Sequence, residues 1–129
     1  MLNAERPVQG QLDAYNARDL ARFVVCYADD VQLFRPPAAE PVMVGKAALS
    51  AHYEANRFNL PLLHAELVNR MVLGNKVVDH ERISGVREEP FDAAVVFEVR
   101  FEVKSEANFE ANFEVKRALI SKVWFFNAD

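Results

Sequence analysis

From Phe97 to Val115 the chain alternates. Odd positions carry Phe97, Val99, Phe101, Val103, Ala107, Phe109, Ala111, Phe113 and Val115, with Ser105 the one polar residue among them. Even positions carry only Glu, Arg, Lys and Asn. A period of two puts every apolar side chain on one face of an extended chain, so the stretch predicts a long hairpin turning near Ser105 to Asn108. The same stretch repeats Glu106-Ala-Asn-Phe109 as Glu110-Ala-Asn-Phe113, and a four-residue period also suits a helix face. The strand rule favours the hairpin, and the helix stays open as its rival. The repeat is far too short for a solenoid.

The strand pattern extends upstream. His64 to Leu73 and Val77 to Ile83 are strand candidates around a Gly74-Asn75 turn, and Phe91 to about Lys104 and Leu119 to Phe126 follow. The first third reads differently. Val8, Leu12, Tyr15, Leu20, Phe23, Val24 and Tyr27 recur at near-helical spacing, interrupted by Asn16-Ala-Arg-Asp19. This predicts two helices over about Pro7 to Tyr27, with Asp19 capping the second. Val31 to Phe34 predicts a short strand. Lys46 to Arg57 predicts a third helix, with Ala47, Leu49 or Ser50, and Tyr53 as inward candidates. Helices first and an antiparallel sheet second is the segregated α+β order, in one domain spanning 1–129.

Charge narrows the partners. The formal net charge of -4 opposes a nucleic-acid partner, which needs a basic face for phosphates. The single cysteine, Cys26, excludes an internal disulfide, reads as plain core, and fits a cytoplasmic location. No apolar run approaches the roughly 20 residues of a membrane span. No zinc spacing, phosphate loop or nucleophile elbow occurs, so neither metal nor cofactor is expected.

Several stretches together resemble the nuclear transport factor 2-like superfamily: Val8-Gln-Gly-Gln-Leu-Asp-Ala-Tyr15, Cys26-Tyr-Ala-Asp-Asp30, Val44-Gly-Lys-Ala-Ala48, Ala51-His-Tyr53, Val77-Val-Asp-His-Glu-Arg82 and Leu119-Ile-Ser-Lys-Val-Trp124. The first three look most like its ketosteroid isomerase and SnoaL-like polyketide-cyclase branch. The resemblance implies N-terminal helices packed on a strongly curved antiparallel sheet, forming a cone with an internal pocket. It covers nearly the whole chain except about 101–117, which looks like an inserted hairpin. The superfamily hosts isomerases, dehydratases, cyclases, hydrolases and non-catalytic binders, so the fold does not settle the function.

Matched to ketosteroid isomerase, Tyr15, Tyr53 and Tyr27 fall on the pocket phenols, and they are the only tyrosines present. Phenols donating in series strengthen the terminal donor. The isomerase's general base is absent: its place before a proline holds Arg35, which stays protonated, and its partner acid falls near Val95. That argues against the isomerase's known route. Strand alternation places Asp79 and Glu81 on one face, which the resemblance turns toward the pocket, with Arg35 opposite. Acid–base work would fall to Tyr15, Asp79 and Glu81. Tyr27, Arg35, Tyr53, Phe97 and Val123 would bind substrate.

Plainer readings stand beside these. The phenols could be half-buried core, Arg35 with Asp79 or Glu81 a structural ion pair, and His52 and His64 ordinary surface histidines. A one-residue slip of the strand would bring in His80 and expel both acids. The expected ligand is a small hydrophobic carbonyl or hydroxyl compound, turned over without a cofactor or only bound. A homodimer through the outer face, where Trp124 and Phe126 point, is expected as well.

Overall fold

The computed structural model describes residues 3–105 and 114–127. Helix α1 spans Glu5–Ala17 and α2 spans Leu20–Val24. Between them Arg18 takes a left-handed conformation, and the Asp19 side chain accepts the backbone N–H of Arg22, so the bend falls at the turn-forming residues. Strand β1 is Tyr27–Phe34, β2 is Met43–Val44 and α3 is Lys46–Asn56. Strands β3 (His64–Leu73), β4 (Lys76–Ser84), β5 (Phe91–Ser105) and β6 (Glu114–Asn127) complete the chain.

The strands form one six-stranded sheet in the order β2-β1-β6-β5-β4-β3. It differs from the sequence expectation in three places. The pairing of β1 with β6 is parallel, whereas all other neighbours are antiparallel. Tyr27 begins β1 and does not end a helix, so this strand starts before the alternating residues Val31 to Phe34. Ala47 on α3 is exposed and Leu49 is the helix's buried residue. Strand direction across a sheet and the solvent face of a short helix are set by packing, which local periodicity does not encode.

β5 and β6 run as two arms of a hairpin, paired as far as Ser105 opposite Glu114. Ser105, expected in the turn, is therefore still strand. The rest of that expected turn, and the repeat from Glu106 to Phe113, lie outside the described residues.

Bulges curl the sheet. Val68 is an extra residue between the β3–β4 pairs at Leu67 and Asn69, and Ser121 is extra between the β5–β6 pairs at Glu98 and Val99. Each bends its strand and increases the local twist. The Ser121 hydroxyl donates to the Glu98 carbonyl at 3.1 Å, which ties the second bulge down. The curled, unclosed sheet wraps the helices. Val8, Leu12 and Ala14 of α1, Phe23 of α2 and Leu49 of α3 meet Val77, Val95, Val99, Ile120 and Val123 of the sheet. Gly85 ends β4 at a φ of 81°, with its backbone pressed against Leu62, where no side chain fits. Among the described residues no helix is long and apolar enough to cross a membrane.

Candidate functional site

Two carboxylates define the concave face of β4. Asp79 and Glu81 are two residues apart, so the pleat turns both inward, while His80 and Arg82 point outward onto Asp92. Both acids are buried.

Asp79 is completely satisfied. Arg70, directly opposite on β3, donates from Nε to Oδ1 at 2.7 Å and from Nη2 to Oδ2 at 2.9 Å. Its remaining nitrogen reaches Gln9 Oε1 at 2.8 Å and Glu5 Oε1 at 3.2 Å, fastening α1 to the sheet. Arg35 was the expected partner, and the structure overturns that. Arg35 instead stands over the Phe125 ring, 5.1 Å from its centroid. The Gly74-Asn75 turn contained the signal for Arg70: a two-residue hairpin loop fixes the register that sets Arg70 against Asp79.

Glu81 has no such partner. It lines a cavity of about 70 Å³ beneath α1 and α3, and no hydrogen bond reaches its carboxylate among the described residues. Burial pushes its pKa from the ordinary 4.5 to about 7, with the Asp79 charge adding to the rise and Arg70 opposing it. A carboxyl held this way populates both protonation states near neutral pH.

Tyr15, Tyr27 and Tyr53 line the same cavity. They belong to an aromatic cluster around Phe23, whose ring lies 4.7 Å from Tyr53, 5.0 Å from Tyr27 and 5.2 Å from Phe58. The Tyr27 hydroxyl donates to Gln11 Oε1 at 3.2 Å, and Gln11 is itself anchored to the Val8 carbonyl. No hydroxyl-to-hydroxyl bond links the three phenols among the described residues, so the expected series of donors is not formed. Burial raises all three pKa values: Tyr53 to about 12, and Tyr15 and Tyr27 well above the usual phenol range. Each phenol therefore stays a hydrogen-bond donor at any physiological pH.

Of the expected site residues, Tyr15, Tyr27, Arg35, Tyr53, Glu81 and Phe97 share the cavity. Asp79 and Val123 do not line it. Asp79 is closed off by Arg70, and Val123 packs in the core, 1% exposed, while Phe125 two residues on reaches the cavity. His64 lies off it as well; His52 lines it, with its pKa lowered by burial and then by Arg57 and Arg35. Sequence reasoning missed Arg57, Gln11 and Asn127. Arg57 was findable, since it stands four residues after Tyr53 on the same helical face. Cys26 donates to the Arg22 carbonyl at 3.4 Å, away from the cavity. Among the described residues no cluster of three metal-ligating side chains occurs.

Known proteins give this arrangement a context. The SnoaL-like domain family matches residues 8–104. Similar solved structures include an uncharacterised cystatin-fold protein from Novosphingobium aromaticivorans, 22% identical with a TM-score of 0.73, covering 98% of this chain and 99% of that one. A SnoaL-like protein of unknown function from Burkholderia thailandensis is 22% identical with a TM-score of 0.67, covering 98% and 94%. A candidate ketosteroid isomerase from Kribbella flavida is 16% identical with a TM-score of 0.70, covering 98% and 78%. At these identities the likeness shows the cystatin-like, nuclear transport factor 2-like fold alone. No curated protein matches the chain.

Proposed function

We propose a function from one premise: the chain belongs to the SnoaL-like domain family. Its cavity is a cofactor-independent acid–base site that moves a proton on a small carbonyl or hydroxyl compound. The supporting observation is Glu81, a buried carboxyl with no hydrogen-bond partner among the described residues, lining the cavity with a pKa of about 7. As carboxylate it takes a proton from the carbon beside a carbonyl. As acid it returns that proton to the same or a neighbouring carbon. Tyr15 donates to the carbonyl oxygen, where negative charge develops. Asp79 drops out of the acid–base role, because Arg70 occupies both its oxygens.

Cavity size bears on the substrate. A drug-sized ligand needs roughly 300 Å³ or more, and this cavity offers about 70 Å³. It admits a small compound or the reacting end of a longer one. An outer depression along Pro36, Phe125 and Phe126 shares Arg35, Phe125 and Asn127 with the mouth and could take the remainder.

The test is hydrogen–deuterium exchange at the α-carbons of small ketones and keto acids in D₂O. Wild type should accelerate exchange, Glu81→Gln should lose about 100-fold or more, and Tyr15→Phe should also lose about 100-fold. Ligand binding with no exchange above buffer would make the protein a binding module.

We also propose a homodimer through the outer sheet face. Met71 and Phe126 stand exposed on that face, at 50% and 43%. Sedimentation at micromolar concentration should show twice the chain mass, reduced by Met71→Glu. A wild-type monomer would reject the dimer.

A further inference from the structure

The cavity carries the opposite charge balance to the chain. The whole sequence has a formal charge of -4. Around the cavity stand Arg35 and Arg57 against one acid, Glu81, while burial and the two guanidiniums favour neutral His52. Both arginines influence His52 and Tyr53 electrostatically, so the two guanidiniums flank the same wall.

Neither arginine is paired with an acid among the described residues. Arg35 makes its contact with the Phe125 ring at 5.1 Å. Arg57 donates from Nη1 to the Asn56 carbonyl at 3.0 Å, and its charge opposes the upward shift of the Tyr15 phenol. Four arginines away from the cavity are paired with acids: Arg70 with Asp79, Arg82 with Asp92, Arg100 with Asp30 and Glu102, and Arg117 with Glu102. Glu81 lines the same cavity, and among the described residues it forms no ion pair with either arginine. A guanidinium fork binds the two oxygens of a carboxylate in a bidentate pair, as it does two oxygens of a phosphate, and the carboxylate is the smaller of the two.

We infer that the ligand of this cavity is a small organic monocarboxylate, held by Arg57 and Arg35 with its neighbouring carbon toward Glu81. The inference rests on the proposed acid–base site for its orientation, but on the two arginines for its chemistry. A monoanion fits the charge count, since a second negative group would face Glu81. The size fits as well. A cavity of about 70 Å³ lies far below the roughly 300 Å³ of a drug-sized site, so it suits a short acid. A longer chain would pass Phe125 into the outer depression.

The experiment measures binding, not turnover. Propionate and 2-oxobutyrate are titrated against the protein alongside their neutral counterparts, propionamide and 2-butanone, with amide NMR shifts as the readout. The carboxylates should bind at least tenfold more tightly than the neutral compounds. Arg57→Gln and Arg35→Gln should each weaken carboxylate binding about tenfold, the usual effect of losing a charged hydrogen bond. Arg35 is exposed, so its variant should keep the fold even if the Arg57 variant does not. Glu81→Gln should leave carboxylate binding intact or tighter. Equal affinity for propionamide and propionate, no carboxylate-dependent shifts, or unchanged binding in Arg35→Gln would overturn the inference. Carboxylate binding without α-carbon exchange would instead reject the acid–base reading and leave this one standing.

Discussion

Asp79 and Glu81 share a strand, a face and near-complete burial, yet their surroundings differ entirely. The Asp79 end of the concave face is closed: Arg70 binds both carboxylate oxygens and ties in Glu5 and Gln9 of α1. The Glu81 end is open to a cavity, and only the charge of Arg70 opposes its desolvation. Buried charge with a fitted partner is structure, whereas a buried ionisable group without one is where chemistry can reside. The two ends are also connected. Asp79's charge helps raise the Glu81 pKa, so the structural pair tunes the open site.

The largest expected effect breaks the closed end. Arg70→Met leaves Asp79 buried without a counter-charge and should cost about 3–5 kcal/mol in urea unfolding. If the variant unfolds at the wild-type midpoint, the ion pair is not what holds α1 to the sheet.

The open end should respond in the opposite direction. The folded pKa of Glu81, about 7, lies above its ordinary 4.5. Below pH 4.5 both folded and unfolded states are protonated and nothing is lost. Between 4.5 and 7 the folded state holds a proton the unfolded state has released, so stability falls as pH rises, and above 7 the loss is complete. Glu81→Gln removes that loss and should stabilise the protein by up to about 3 kcal/mol at pH 8, with little change at pH 4. Denaturation curves at the two pH values check this, and equal effects at both would mean Glu81 is not raised.

The phenols sharpen the contrast more finely. Tyr27→Phe strands Gln11 Oε1 in the core and should cost about 1–2 kcal/mol. Tyr53→Phe removes a hydroxyl that holds no hydrogen bond among the described residues, and should shift thermal unfolding by less than about 0.5 kcal/mol. Equal costs would show that Tyr53 is as structurally engaged as Tyr27.

The smallest effect compares the arginines. Arg35→Ala loses only an exposed contact over Phe125 and should cost about 0.5 kcal/mol. A loss near that of Arg70→Met would make Arg35 a structural residue and weaken its place at the cavity mouth.

Much of this was legible in the residues. Period-two runs located β3 to β6, and Asp19 marked the start of α2. The alternation of Val77, Asp79, Glu81 and Ile83 put the two acids on one face. The sequence did not reveal that β1 pairs parallel with β6, since neither strand's own pattern encodes its neighbour's direction. The bulges at Val68 and Ser121 were equally silent, and they set the curl that leaves a cavity beside Glu81.

By itself, then, the sequence determined the kinds of element, their order and the facing of the acids, because these follow from backbone period and side-chain polarity along a few residues. The tertiary structure alone decided which acid is neutralised and which is left open. That choice depends on desolvation and on charges brought close through space. Arg70 reaches Asp79 only once the hairpin register is set, and Glu81 meets empty space only once the curled sheet closes over the helices.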